Sequence, residues 1–292
     1  MKYALYTGCV AKGAGRELLT ATTLAAERLG IQLEEMTDVT CCGAGVMQED
    51  NPMLADTLNA RTMSLAEENG LDILTICGTC QGVIRGTQKK IDGDQAYKDK
   101  INENLKKDTG REYRGNVKVK HFFQIIEEDY GLDNLEKRVT KKLTGLKVAP
   151  YYGCYVLRPH EDVDLKTPDR PDGLERTIKA IGATPVDYPQ KQKCCGFPIL
   201  MANKNNSLQL SGNVIVGALE AGADCIVAPC PLCHLNLDAY QPEIESTFER
   251  EMSLPILHYP QLLALALGVT LDELKMNMHI VRPNDALKAV TV

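Results

Sequence analysis

Apolar residues along the chain fall in short runs separated by longer amphipathic stretches, and this alternation occurs twice. Lys2 to Thr7 has strand composition, Arg16 to Leu29 is helical in propensity, and Asp56 to Glu68 reads as another helix before the apolar strand Ile73 to Ile76. Past the middle, Lys147 to Tyr152, Leu174 to Ile181, Leu208 to Leu219 and Ile226 to Ala228 follow in the same order. Strands alternating with helices predict an α/β fold with parallel sheets, because a helical crossover returns the chain to start the next strand in the same direction.

Eleven cysteines punctuate the pattern, ten of them in two matching sets. Cys9 is followed after 31 residues by the adjacent pair Cys41-Cys42 and after 34 more by Cys77-Gly78-Thr79-Cys80. Cys154 is followed after 39 residues by Cys194-Cys195 and after 34 more by Cys230-Pro231-Leu232-Cys233. Neighbouring residues repeat too. Tyr6-Thr7-Gly8-Cys9 matches Tyr151-Tyr152-Gly153-Cys154, and Gly43 and Gly196 follow the two pairs. His121-Phe122-Phe123-Gln124-Ile125-Ile126 with Gly131 matches His258-Tyr259-Pro260-Gln261-Leu262-Leu263 with Gly268 at a constant offset of 137. The chain thus reads as two duplicated β/α domains, 1–145 and 146–292, joined near Lys141 to Lys147, with parallel-sheet cores related by a pseudo-twofold axis. In this reading cysteines sit where strands end and helices begin. The length differences fall in polar stretches, Lys89 to Asn116 and Leu157 to Asp172, which are expected to be surface insertions.

Composition narrows the function classes. At 292 residues the chain is about twice the usual domain length, in keeping with duplication. With 44% hydrophobic and 25% charged residues and a net charge of −6, it has the balance of a globular protein and no electrostatic reason to bind nucleic acid. No apolar run approaches the ~18 residues of a membrane span; Leu262 to Leu267 and its flanks fall far short. Leu5-Tyr6-Thr7-Gly8-Cys9 has a faint likeness to a lipoprotein cleavage site but too few residues before it for an apolar signal region, so a cytoplasmic protein is expected. The cysteines are too sparse for a small secreted disulfide scaffold, and in a reducing compartment such thiols are metal ligands or redox centres.

A C-x-x-C unit at a helix start brings two sulfurs together where the helix N-terminus favours thiolate, which suits metal binding and redox chemistry alike. Adjacent side chains in extended backbone point opposite ways. For Cys41 and Cys42, or Cys194 and Cys195, to serve one site the chain must bend, which Gly43 and Gly196 permit by reaching positive φ. A structural zinc site or an ordinary four-iron cube takes four protein ligands. Five cysteines per half exceed both, so either one thiolate is spare or the cluster is not a simple cube.

The pattern resembles the cysteine-rich domain with the C-C-G signature that occurs twice in the B subunit of heterodisulfide reductase, and the resemblance covers essentially the whole chain. Cys230-Pro231-Leu232-Cys233-His234-Leu235-Asn236 is similar to that subunit's second C-P-x-C segment. The resemblance implies two [4Fe-4S] clusters of the non-cubane type, one on Cys9, Cys41, Cys42, Cys77 and Cys80 and one on Cys154, Cys194, Cys195, Cys230 and Cys233. It further implies reduction of a disulfide to two thiols, or the reverse oxidation of thiol or protein-bound sulfur. The methanogenic members are similar to C-N-G-C where this chain has Cys77-Gly78-Thr79-Cys80; this segment and Cys42-Gly43-Ala44-Gly45 look more like relatives in bacterial sulfur-oxidising complexes. No ferredoxin-type cysteine run and no flavin or nicotinamide fingerprint is present, so a ferredoxin-like iron–sulfur subunit and a flavin-containing subunit are the partners that the resemblance implies.

The remaining candidates have plainer readings. Cys225 lies in the apolar run Cys225-Ile226-Val227-Ala228 and reads as a buried small hydrophobe. His121 and His258 suit packed histidines at strand-to-helix junctions, with their recurrence favouring a site role somewhat. His234 is read either as a hydrogen-bond donor to a cluster sulfur or as an exposed helix residue. Lys12, Arg158, His160 and Lys193 are solvated charges near ligand cysteines, able to offset cluster charge or meet an anion. Gly13-Ala14-Gly15 lacks the third glycine of a nucleotide fingerprint. Competing functions are an electron-transfer module without a substrate site, a zinc-binding scaffold, and a thioredoxin-like dithiol exchanger, for which the fivefold sets would be superfluous. If the halves pack about a pseudo-twofold axis, the loops carrying Cys9 and Cys154, or the two C-C-G turns, are expected to face each other across a shared cleft.

Overall fold

The computed structural model describes residues 1–158, 171–283 and 286–287. In the first half, β1 (Lys2–Tyr6) leads through α1 (Gly8–Lys12) and α2 (Arg16–Leu29) to β2 (Gln32–Glu35). Next come α3 (Val46–Asp50), α4 (Pro52–Glu68), β3 (Ile73–Thr75), α5 (Gly78–Gly93), α6 (Gln95–Thr109), β4 (Val119–His121), α7 (Phe122–Gln124) and α8 (Leu132–Arg138). The second half repeats the theme with β5 (Lys147–Pro150), α9 (Gly173–Ala180), β6 (Thr184–Pro185), α10 (Lys204–Glu220), β7 (Cys225–Ala228), α11 (Pro231–Asp238), α12 (Gln241–Phe248), β8 (Ile256–His258) and α13 (Tyr259–Ala266).

Among the described residues all strand pairs are parallel, and the two four-stranded sheets have the same order, β2-β1-β3-β4 and β6-β5-β7-β8. Ala4 registers with Ile73 in the first sheet, and Val148 with Cys225 in the second. In each sheet the strand order reverses direction between the two central strands. At such a switch point the loops leaving the two strand ends diverge to opposite faces and open a crevice. Cys9 and Cys77 follow β1 and β3; Cys154 and Cys230 follow β5 and β7.

Parallel sheets are covered on both faces, and strand alternation divides their side chains between two apolar layers. Tyr3 and Leu5 of β1 enter one layer, Ala4 and Tyr6 the other; Cys225 and Val227 of β7 share the first layer, Ile226 and Ala228 the second. Each layer runs through both halves. The first contains Leu18 and Ala25 of α2 together with Leu262 and Ala266 of α13; the second contains Ala60 and Met63 of α4 together with Val214 and Ile215 of α10.

The helices α4 and α10 start four residues before the sequence pattern predicts, because Asn51 and Asn203 cap them: each side-chain carbonyl accepts a backbone N–H, from Leu54 and Asn206, at 3.1 Å. The stretch Lys89 to Asn116, read as a surface insertion, is mostly helix. Its α6 buries Ile101 and Leu105, while Asn102 exchanges two hydrogen bonds with the backbone of Tyr113. In the other insertion, residues 159–170 lie outside the described residues.

The halves meet closely along α5. A Cβ on Gly82 would lie 2.8 Å from the Tyr155 carbonyl oxygen, and one on Gly78 2.4 Å from Val156 Cγ2, so both glycines let the loop after Cys154 rest on the helix backbone. Gly82→Ala is therefore expected to destabilise the protein by about 1–3 kcal/mol despite alanine's better helix propensity, since backbone cannot step aside as a side chain can. Gly93→Ala at the end of the same helix, where a Cβ meets nothing within 4 Å, is expected to be neutral or stabilising. Chemical denaturation of the two variants side by side checks both.

Candidate functional site

Each cysteine set is assembled from loops at the carboxyl ends of one sheet. Cys9 stands in α1 just after Gly8, and a side chain at Gly8 would place a Cβ 3.1 Å from Cys80 Sγ; at Gly153 it would lie 3.0 Å from Cys233 Sγ. Glycine here keeps space for sulfur, and it does so identically in both halves. Gly43 and Gly196 adopt φ of +79° and +87°, the bend expected after each adjacent pair. Cys77 and Cys230 are the N-caps of α5 and α11, which sets Cys80 and Cys233 in the first turns. The Cys77 sulfur accepts the Cys80 N–H at 3.5 Å.

The ten predicted cysteines converge into two groups. In the first, Cys9 and Cys41 sulfurs are 3.8 Å apart and those of Cys42 and Cys80 3.6 Å. Hydrogen bonds with Cys41 and then Cys80 draw the Cys42 thiol down to about 4, while Cys41 and Cys80 are pushed up. In the second group Cys154 contacts Cys194, Cys194 contacts Cys195, and Cys233 contacts both Cys195 and Cys230. Hydrogen bonds with Cys154 and Cys195 bring Cys194 down to about 2. Hydrogen bonds with Cys233 and Cys77 lower Cys230 as well, so in these crowded groups ionisation is favoured at Cys42 in the first and at Cys194 and Cys230 in the second. A bound cation would replace the protons that remain. All ten thiols are free of disulfides; Cys9 and Cys41 are exposed, Cys154 and Cys194 half-buried, and the other six buried. Each group therefore opens outward on one side and reaches inward on the other.

The inward ends meet. Cys77 and Cys230 sulfurs approach to 3.9 Å across the boundary between the halves. The closest approach of the two sets thus runs through the C-x-x-C turns, where the sequence had pointed to the Cys9 and Cys154 loops or the C-C-G turns. Tyr155 lies beside both sets: burial raises its hydroxyl, and thiolate charge at Cys154 and Cys42 adds to the effect.

Several supporting groups carry no motif of their own. Tyr6 donates its hydroxyl to the Thr40 carbonyl at 2.7 Å, and Tyr151 to the Lys193 carbonyl at 2.6 Å, so each tyrosine fastens the peptide entering an adjacent-cysteine turn. The carbonyls of Cys42 and Cys195 are held by Asn59 at 3.1 Å and by Ser211 and Asn236 at 2.6 and 2.7 Å. The recurrence of tyrosine three residues before Cys9 and Cys154 was a visible signal; Asn59 and Ser211 differ in type and left none.

Histidines follow the plainer reading, with one correction. His121 and His258 stand at the ends of β4 and β8, where each backbone N–H donates to the side-chain carbonyl of the glutamine three residues on, Gln124 or Gln261, at 3.0 Å. His121 Nδ1 accepts from Phe123 N–H, which leaves its Nε2–H to donate to the Pro229 carbonyl at 2.8 Å. His234 is neither exposed nor bonded to a cysteine: it is buried, stacked on His258 with ring centroids 3.8 Å apart, and its Nε2 meets His279 Nδ1 at 3.1 Å. His258 Nε2 faces Glu17 Oε1 at 3.2 Å and so ties α2 to the second half. Burial works against ionised Glu17, yet the His258 contacts outweigh it and lower the carboxyl below its usual range.

Cys225 is fully buried in β7, and burial pushes its thiol up. Lys12 pairs with Glu35 at 3.1 Å; Arg158 and Lys193 are exposed, and His160 lies outside the described residues. Gly13-Ala14-Gly15 forms the turn between α1 and α2.

The chemistry of the donors fits an iron–sulfur group. Five thiols in each half, two of them at a helix N-terminus and one packed against Gly8 or Gly153, form a thiolate-rich set, and such ligands select zinc or iron–sulfur clusters. Among the described residues no helix is long and apolar enough to cross a membrane.

Comparison with known proteins places this arrangement. The profile of the cysteine-rich domain called CCG matches twice, at residues 3–85 and 148–238. The chain is 34% identical over 280 residues to the 8-methylmenaquinol:fumarate reductase membrane anchor subunit of Wolinella succinogenes, covering 96% of this chain and 97% of that one. It is 32% identical over 284 residues to the B subunit of the ferredoxin/F420H2-dependent CoB-CoM heterodisulfide reductase of Methanosarcina acetivorans, covering 96% and 94%. An Archaeoglobus profundus protein named for its likeness to the heterodisulfide reductase B subunit is 29% identical over 292 residues, covering 98% and 97%. Among solved structures, a hypothetical protein from Helicobacter pylori superposes with a TM-score of 0.76 at 15% identity; 96% of this chain is covered but it spans only 52% of that one, a likeness of fold. With both halves matched and relatives alike over nearly their full length, the chain belongs to the family that carries the cysteine-rich CCG domain in duplicate, together with the B subunit of heterodisulfide reductase.

Proposed function

We propose that the protein is an iron–sulfur subunit of a reductase complex. In this reading each half, 1–145 and 146–292, holds one non-cubane [4Fe-4S] cluster on its five cysteines, and the pair exchanges electrons with a disulfide or thiol. The observation that carries the reading is the meeting of two complete five-cysteine sets through Cys77 and Cys230, 3.9 Å apart. Reducing a disulfide consumes two electrons and two protons and yields two thiols. When bound, the clusters would supply those electrons one apiece and an iron to receive sulfur. The chain's own part is to hold the two sets at fixed separation: Tyr6 and Tyr151 pin the adjacent-cysteine turns, and α5 packed against the loop after Cys154 fixes the halves. The exposed sulfurs Cys9 and Cys41 mark the side on which electrons or substrate arrive. In this reading a ferredoxin-like subunit and a flavin-containing subunit of the same complex supply the electrons.

A second reading rests on the Wolinella relative, named as a subunit of a quinol:fumarate reductase. There the same two clusters would serve as a relay in a quinol-linked complex, with no disulfide chemistry of their own. Anaerobic purification with iron and acid-labile sulfide analysis, followed by disulfide reduction with an artificial donor, tests both. About eight iron and eight sulfide per chain are expected, with turnover. Zinc as the sole stoichiometric metal would overturn the iron–sulfur reading, and full clusters without turnover would leave the relay.

A further inference from the structure

The two C-x-x-C turns are pseudo-equivalent, but the contacts across their meeting point are not. Thr79 of the first turn directs its hydroxyl to Cys230 Sγ, a ligand of the other set, at 3.3 Å. The residue at the same place in the second turn is Leu232, which has no hydroxyl to offer Cys77. One position back in that second turn, the Pro229 carbonyl accepts Nε2–H of His121 from the first half. The counterpart histidine, His258, faces Glu17 instead. The first half therefore grips the Cys230 turn by two hydrogen bonds, and the contacts found at His258 and Leu232 return neither.

Thr79 is buried, 6% exposed, so its hydroxyl works in a medium of low polarisability. A sulfur whose proton has been released to solvent on binding a metal can only accept, which makes Thr79 the donor. A donor aimed at a ligand sulfur favours the more negative, reduced cluster, and hydrogen bonds to sulfur are among the determinants of cluster potential.

We propose that Thr79 is a positioning residue that sets the cluster of the Cys154 half at a higher reduction potential than that of the Cys9 half, so that an electron shared by the pair rests in the second half. The inference depends on the iron–sulfur reading above. It supplies a direction that the duplicated ligand sets alone do not: electrons pass from the first half to the second through the Cys77–Cys230 contact.

The test is EPR-monitored potentiometry on the full-length protein reconstituted without air, with the two signals assigned from Cys42→Ser and Cys195→Ser. In the wild type the second-half cluster is expected to be reduced first. Thr79→Val, nearly the same shape without the hydroxyl, is expected to shift the electron partition about tenfold toward the first half, equivalent to about 59 mV for one electron. Thr79→Ser, which restores the donor, is expected to stay near the wild type. Unmoved potentials in Thr79→Val, or equal shifts in both clusters, would overturn the inference while leaving the cluster reading intact. A wild type with no iron–sulfur signal would remove the reading on which it rests.

Discussion

Cys42→Ser protein purified without air is expected to retain about half of the wild-type iron and acid-labile sulfide, roughly four of eight each, and Cys195→Ser to do the same with the other half. The argument is spatial. Cys42 contacts Cys80 and Cys41, and Cys195 contacts Cys194 and Cys233; neither touches the opposite set. The sulfur–sulfur contact between sets, Cys77 with Cys230, is left untouched by either change. Both residues are buried, and serine in place of cysteine conserves shape closely enough for the apolar layers to persist. Iron content together with far-ultraviolet circular dichroism checks the result, and loss of all iron from a folded variant would contradict two separate sites.

Disulfide turnover, by contrast, is expected to fall by at least about 100-fold in both variants although each keeps one cluster, a barrier increase of about 2.7 kcal/mol or more. Cleaving a disulfide requires two electrons delivered to adjacent sulfurs, and a single one-electron centre would have to release a sulfur radical between its two deliveries. Two clusters meeting at one boundary, as proposed, would avoid that step. Steady-state assays with a chemical donor that bypasses partner subunits measure this directly. Near-normal turnover in Cys195→Ser would make the second cluster a relay only.

The repeated cysteine spacing is enough to reveal the duplication and to single out the two sets of five cysteines that the fold gathers, because five thiols at matched intervals have no use in packing. The helix Arg16–Leu29 and the strands around Ile73 and Ile226 were equally plain from apolar pattern. The edge strands were not. β2 is Gln-Leu-Glu-Glu with a largely exposed surface, and β4, β6 and β8 are two or three residues long, too short for alternation to register. The cradle around the cysteines was hidden for a different reason. Asn59, Ser211 and Asn236 act on backbone carbonyls of Cys42 and Cys195 from 16 to 41 residues away, a role that depends on tertiary position and leaves no periodic trace. His234 reads in the sequence as a neighbour of the cysteine set because it follows Cys233; one step along a helix turns a side chain by about 100°, and here it turns it into the histidine stack.

A pair of identical single-domain chains meeting about a true twofold axis would have to present the same residue on both sides of it. Either both partners would offer threonine to the facing cysteine or both leucine, and the position of Gly82 could not be small against a tyrosine on one side while its counterpart, Leu235, is large on the other. Covalent fusion of the halves lifts that constraint. Once the copies share a chain, mutations accumulate independently at the axis, and a symmetric pair of cofactor cages can become polar, with a donor side and an acceptor side. If the pair carries electrons as proposed, the direction of flow, which a homodimer must borrow from its partners, can be written into one chain.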